Sequence, residues 1–308
     1  MTWPACATEP AETPPQPELL PRLGRDGSFS LYSCGCDEGF HNASGALREA
    51  QEKFVVPAAL ERFPPGRQLL VAEVAVGTGT NTAAFLAATA AAGLELDWWG
   101  LELDQRPLAL ALADAGFRAQ WPAGVIERLE RLGNGPRLWL GDARRRLPEL
   151  LATQAGRCDL VLLDAFSPTR CPQLWSREFL ERLVGLLRPD GRLITYSSAA
   201  AVRRCLLDLG LEVQAIRPSG GGSGRWSAGT VASPTPLETH PALRPLEDFE
   251  REHLASRAGL PYRDPSGAGS AAEILERRRR EQEHSPAPPG KLRRPADPDG
   301  LGRSEGHR

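Results

Sequence analysis

Apolar and polar positions along this chain follow two periods that replace each other in a regular order. Residues 68–76 (QLLVAEVAV) are a nearly unbroken apolar run. They stop at Gly77-Thr78-Gly79-Thr80-Asn81, and an Ala-rich stretch with helical spacing continues to Gly93. The same succession recurs downstream. Strand-like runs lie at 94–103, 136–143, 158–166, 192–198, 211–216 and 224–233, and helical patterns lie at 106–117 and 176–187 and again before Gly210. The run CDLVLLDAF at 158–166 is apolar throughout, as a strand buried on both faces must be.

Strand and helix in alternation predict βαβ units and a parallel sheet covered on both faces. The last two runs have no helix between them, so they pair as a hairpin. The expected architecture is therefore α/β, a mostly parallel seven-stranded sheet with one antiparallel strand near the edge. Ahead of it, residues from Asp26 read as a short strand or hairpin. Residues 44–63 read as a helix capped by Ser44 and interrupted at Pro57. The pattern predicts a disordered Pro-rich tail over 1–25, the catalytic domain over 26–233, a helical extension over 234–283 and a disordered tail over 284–308.

Open α/β sheets bind ligands beyond the C-terminal ends of their strands. Gly77 and Gly79 end the first strand and let the chain turn tightly beside a ligand, with Asn81 opening the next helix. Glu73 sits inside the apolar strand. Glu102 ends the second strand, where an acid accepts both hydroxyls of an adenosine ribose. Asp142 follows the third, where it either accepts from an adenine amino group or caps a helix. The dinucleotide fingerprint needs a third glycine, and Thr82 stands there instead. A cofactor without a pyrophosphate, S-adenosylmethionine, fits this set better than NAD.

The fourth strand ends at Asp164, and AFSPTRCPQLW follows. Pro168 stiffens that loop, Trp175 anchors it, and Phe166 faces the substrate. An alkylamine is mostly protonated near neutrality, with a pKa of about 10. A carboxylate at the strand tip orients the ammonium and takes its proton; Asp164 is the candidate.

These segments, above all Asp164 to Trp175, resemble the methyltransferase domain of MnmC from about Ser28 to Ser233. The resemblance implies a Rossmann-like class I S-adenosylmethionine-dependent methyltransferase. It further implies cofactor binding around Glu73, Gly77, Gly79 and Glu102, and an essential aspartate at Asp164. The implied substrate is the primary amine of 5-aminomethyl-(2-thio)uridine at the tRNA wobble position. The chain departs from that family at Ala75, where Gly is usual, and in its last hairpin, where Arg225 stands alone. Nothing after residue 233 offers the FAD-dependent domain of bifunctional MnmC.

Composition narrows the partners. The formal net charge of −2 argues mildly against tight polyanion binding. If tRNA is bound, Arg144–Arg146, Arg203, Arg204, Arg225 and Arg277–Arg280 are the candidate phosphate contacts. A small-molecule amine is the competing acceptor, and an NAD(P)-dependent oxidoreductase or a non-catalytic scaffold stand further off. The six cysteines lack metal spacing, so no metal is expected and reduced thiols suit a cytoplasmic protein. No apolar run is long enough to span a membrane.

Overall fold

The computed structural model describes residues 17–218 and 228–290. Three short antiparallel strands come first: β1 (Leu19–Leu23), β2 (Phe29–Ser33) and β3 (Glu38–Gly39). β1 corrects the expectation of disorder through residue 25. Its side chains are mostly exposed, so no burial pattern marks it, and the ladder to β2 from Leu19–Ser33 to Leu23–Phe29 carries it.

Residues 44–63 are not one helix. α1 (Ala46–Ala50) passes into a π turn at Gln51–Val55, then α2 (Val56–Ala58) and a 3-10 turn at Leu60–Arg62. The break falls at Ala59, in the left-handed region at φ 52°. Pro57 lies in the first turn of α2, where a missing N–H costs nothing. Ser44 is not the cap either: Gly45 holds that position, and the hydroxyl of Ser28 accepts the Ala46 amide at 2.6 Å.

The large sheet is built from β4 (Gln68–Val74), α3 (Thr80–Ala91), β5 (Glu95–Glu102), α4 (Arg106–Ala113), α5 (Ala115–Ala119), α6 (Ala123–Gly133), β6 (Leu138–Leu140), α7 (Ala143–Gln154) and β7 (Cys158–Leu163). It continues through α8 (Arg177–Val184), β8 (Leu187–Thr195), α9 (Ala200–Asp208), β9 (Glu212–Ile216) and β10 (Gly229–Ser233). Residues 188–191 lie inside β8, whose register against β7 shifts between Cys158 and Leu160. β11 (Leu243–Pro245), α10 (Asp248–Ala255) and α11 (Ala271–His284) follow. Strand order is β11-β9-β10-β8-β7-β4-β5-β6. β10 runs antiparallel to both β8 and β9, as the hairpin pattern required.

The sheet has eight strands rather than seven. The extension beyond residue 233 is not purely helical, because β11 pairs antiparallel with β9 at the sheet's end. Three residues closing on a proline give too short a pattern to be seen in sequence. α11 ends at His284, one residue past the expected boundary, and the described chain continues to residue 290.

Side chains on β4 alternate between two cores. Leu69 and Val71 pack toward α3 and α6, and Leu70, Ala72 and Val74 toward α7, α8 and α9. The chain leaves β4 for β5 on one side and later adds β7 on the other. This is the reversal point at which such sheets open a crevice.

The extension is docked by charge as well as by packing. Arg203 on α9 and Arg244 on β11 both bond to the Glu250 carboxylate of α10, at 2.9 and 2.6 Å, and all three are nearly buried. Arg203 also donates to the Thr230 hydroxyl and the Gly229 carbonyl, at 2.9 Å each. Among the described residues no helix is long and apolar enough to cross a membrane.

Candidate active site

A cleft of about 580 Å³ opens at the C-terminal ends of β4, β5 and β7, roofed by the segment from β2 to Asn42. Its floor begins with the turn after β4, where Ala75, Gly77 and Gly79 all have positive φ (63°, 57° and 76°). Ala75 thus adopts the left-handed conformation that its family resemblance assigns to glycine, at a cost of roughly 1 kcal/mol. A Cβ on Gly77 would press on the Phe40 ring at 3.2 Å. Gly79 does not line the cleft. A Cβ there would meet Leu108 at 2.6 Å, so its role is the entry into α3 and the packing of α4.

Glu102 lines the cleft with its carboxylate fixed by three backbone amides, from Gly77 (2.8 Å), Leu103 (2.7 Å) and Asp104 (2.9 Å). Burial raises its pKa, and these amides oppose the rise. Asp142 also lines the cleft and caps α7 by accepting from the Arg144 amide at 2.9 Å. The Arg144 guanidinium pairs with Asp142 at 2.7 Å and with Asp264 at 2.8 Å. It is a strut between domain and extension and is not free for a phosphate.

Glu73 is a correction. It shares strand parity with Leu69 and Val71, so it points beneath α3 rather than into the cleft. One carboxylate oxygen accepts from the Thr82 hydroxyl and the Trp98 indole, both at 2.7 Å, while the other has no partner. Burial pushes its pKa up to about 7.

Asp164 follows β7 and lines the cleft, and Asn81 donates to its Oδ2 at 2.7 Å. Burial and then the nearby Glu49 charge hold the Asp164 pKa well above the carboxylate range. The loop beyond is braced from behind. Trp175, fully buried, donates from Nε1 to the Phe166 carbonyl at 2.8 Å, and the Tyr196 hydroxyl donates to the Ala165 carbonyl at 2.9 Å. Phe166 lines the cleft, edge-on to Phe40 at 5.1 Å. Pro168 and Trp175 do not; they are buried and shape the loop instead. The roof is clipped to this loop by Glu38, which accepts from the Ser167 amide and hydroxyl at 3.1 and 2.8 Å, and by an Asp37–Arg170 pair at 2.6 Å.

Sequence reasoning missed Glu49, Lys53, Phe40 and Tyr196, all of which line the cleft. Glu49 and Lys53 are four residues apart and ion-paired, which in sequence looks like any solvated helix face. His41 also lines the cleft; its Nδ1 lies 2.9 Å from the Ser30 hydroxyl, and burial drives its pKa down to about 4, so it is neutral. Arg225 lies outside the described residues. Of the other expected phosphate contacts, Arg203 is buried in its ion pair and Arg204 pairs with Asp208 at 2.8 Å. Arg278 stacks on Tyr262, and Arg279 and Arg280 pair with Glu276.

Comparison with known proteins follows the same outline. The model of a family described as S-adenosyl-L-methionine-dependent methyltransferase matches residues 111–232. The tRNA 5-methylaminomethyl-2-thiouridine biosynthesis bifunctional protein MnmC of Cupriavidus necator is 32% identical over 280 residues, 82% of this chain and 39% of that protein. An uncharacterised protein of Methanocaldococcus jannaschii is 28% identical over 84% of this chain and 71% of its own length. The crystal structure of MnmC2 from Aquifex aeolicus superposes with a TM-score of 0.69 at 29% identity, covering 86% of this chain and 84% of that one. The chain therefore spans about two fifths of the bifunctional relatives and most of the MnmC2 structure.

Proposed function

Because the chain belongs with the MnmC-like S-adenosyl-L-methionine-dependent methyltransferases, we propose that it methylates the primary amine of 5-aminomethyl-(2-thio)uridine at the tRNA wobble position, in the cytosol. The observation that carries this reading is Asp164, a half-buried carboxylate at the β7 tip in the same cleft as Glu102 and the Gly77 turn.

The cleft residues suit the cofactor. Three backbone amides take three of the roughly four lone-pair sites of the Glu102 carboxylate, two on Oε1 and one on Oε2, so Oε2 keeps room for a ribose hydroxyl. Asp142 can accept from an adenine amino group, and the Gly77 turn leaves backbone open beside them. When bound, S-adenosylmethionine supplies an electrophilic methyl group and leaves as S-adenosylhomocysteine.

The chain's own groups do the rest. Asn81 holds Asp164 by its Oδ2, leaving Oδ1 for the acceptor ammonium. Ionised Asp164 takes a proton from that ammonium and frees the nitrogen lone pair. Phe40 and Phe166 exclude water from the exchange, and the Glu38 and Asp37 clips hold the roof in place. A small-molecule amine is the second reading, favoured by the arginines already engaged in internal pairs.

The test is incubation with labelled S-adenosylmethionine and tRNA from a strain lacking its own such methyltransferase, with nucleosides resolved by mass. Label in 5-methylaminomethyl-(2-thio)uridine is expected. Cofactor binding without labelled tRNA would turn the reading to small amines. Glu102→Gln is expected to weaken S-adenosylhomocysteine binding by about tenfold to a hundredfold in calorimetry. Unchanged affinity would remove Glu102 from the ribose site.

A further inference from the structure

Glu49 reaches the cleft from α1, and Asp164 reaches it from the end of β7. Glu49 is withdrawn from water, at 7% exposed, and Asp164 is half-buried. Each is only partly satisfied. Asp164 accepts from Asn81, and Glu49 accepts from the Asn42 amide at 2.9 Å and pairs with Lys53. A carboxylate has about four lone-pair sites, so both retain room for further donors.

The charges around them do not balance. Lys53 is the one cation that the described cleft lining sets beside Glu49, and its ammonium lies 5.6 Å over the Tyr196 ring. Glu73 lies below Asp164, and Glu38 is occupied by Ser167. His41 is uncharged and Tyr196 keeps its proton, since burial opposes ionisation of both. Two carboxylates against one ammonium leave this end of the cleft with a negative charge that a second cation would neutralise.

We propose that Glu49 is a second carboxylate of the acceptor site, binding the substrate ammonium together with Asp164 and restricting the acceptor to cationic amines. This rests on the amine-methylating reading above. Two neighbouring carboxylates resist joint ionisation unless a cation joins them. The incoming ammonium supplies that charge and then passes one proton to the pair. Its nitrogen lone pair forms the new N–C bond as the methyl–sulfur bond breaks, and sulfur keeps that electron pair as a thioether. The products are a methylammonium, S-adenosylhomocysteine and one proton held by the carboxylates. A neutral hydroxyl in the same position would give the pair no counter-charge.

The experiment is calorimetric titration of the full chain, saturated with S-adenosylhomocysteine, with 5-aminomethyluridine and with 5-hydroxymethyluridine. Glu49→Gln keeps an acceptor for the Asn42 amide and removes the charge. It is expected to weaken the aminomethyl nucleoside about tenfold or more and to leave the hydroxymethyl nucleoside unchanged. Wild-type affinity for the amine should rise with pH as Asp164, whose pKa is raised, ionises. In Glu49→Gln that rise should move about one unit lower, because Asp164 loses a repelling neighbour.

Equal loss for both nucleosides, an unmoved pH limb, or no binding of the amine to the wild type would overturn the proposal. Should Glu49→Gln fail to fold, Lys53→Met decides: tighter amine binding supports the second carboxylate, and unchanged binding sinks it. If the nucleoside binds in a Glu49-dependent way while tRNA is never methylated, the tRNA reading fails and this inference stands.

Discussion

Asp164→Asn should cut single-turnover methyl transfer by about a thousandfold, with S-adenosylhomocysteine affinity within about threefold of wild type. Removing a general base typically costs 10²–10⁴ in rate. The asparagine keeps the shape and can still contact Asn81, so the cofactor side of the cleft is undisturbed. The wild type should also carry a signature that the variant lacks. Burial and the Glu49 charge raise the Asp164 pKa. The base is therefore protonated and inactive at low pH, and kcat/KM should climb as pH rises through that elevated value. A residual rate of one tenth, or an acid limb that persists in Asp164→Asn, would assign the proton to another group.

Glu250→Ala is expected to lower stability by about 3–5 kcal/mol, a fall in Tm of roughly 10 °C for a chain of this size. The two nearly buried guanidiniums of Arg203 and Arg244 would lose the carboxylate they share. The substitution also removes half of the capping box that starts α10. The arginine bonds hold the Glu250 pKa below the carboxylate range despite burial. Its contribution is thus present above the unfolded carboxylate pKa and is lost as pH falls through the depressed folded value. Melting curves of variant and wild type should converge in acid; a constant gap at all pH values would mean that packing, not charge, docks the extension.

The parts of this molecule that sequence made legible are those where burial repeats. The runs ending at Val74 and Leu163 are apolar because both faces of their strands are covered, and that placed Gly77 and Asp164 at one end of one sheet. Glu102 and Asp142 were found by the same logic, since each ends or follows a strand. β1 escaped because its residues are exposed and a backbone ladder, which sequence does not display, holds them. Glu73 was read as a ligand for its acidity, but its parity with Leu69 and Val71 assigns it to the inner face. Arg203 and Arg144 looked like a basic patch because Glu250 and Asp264, which tie them to the extension, lie 47 and 120 residues away. Glu49 and Lys53 were invisible for the converse reason. They are neighbours in sequence, and only the approach of β7 makes their spacing chemical.

β11 has a further consequence for the margin of the large sheet. Without it, the five residues of β9 would present a row of unpaired amides and carbonyls to any passing chain, the usual template for strand-to-strand association. β11 covers that row with only three residues and ends on Pro245, which cannot donate to another ladder. The opposite margin is β6, also only three residues long. Trimming the chain at residue 233, where its sequence suggests a natural stop, would remove the blunt margin and the Glu250 clasp together and leave β9 as an uncovered edge open to strand pairing.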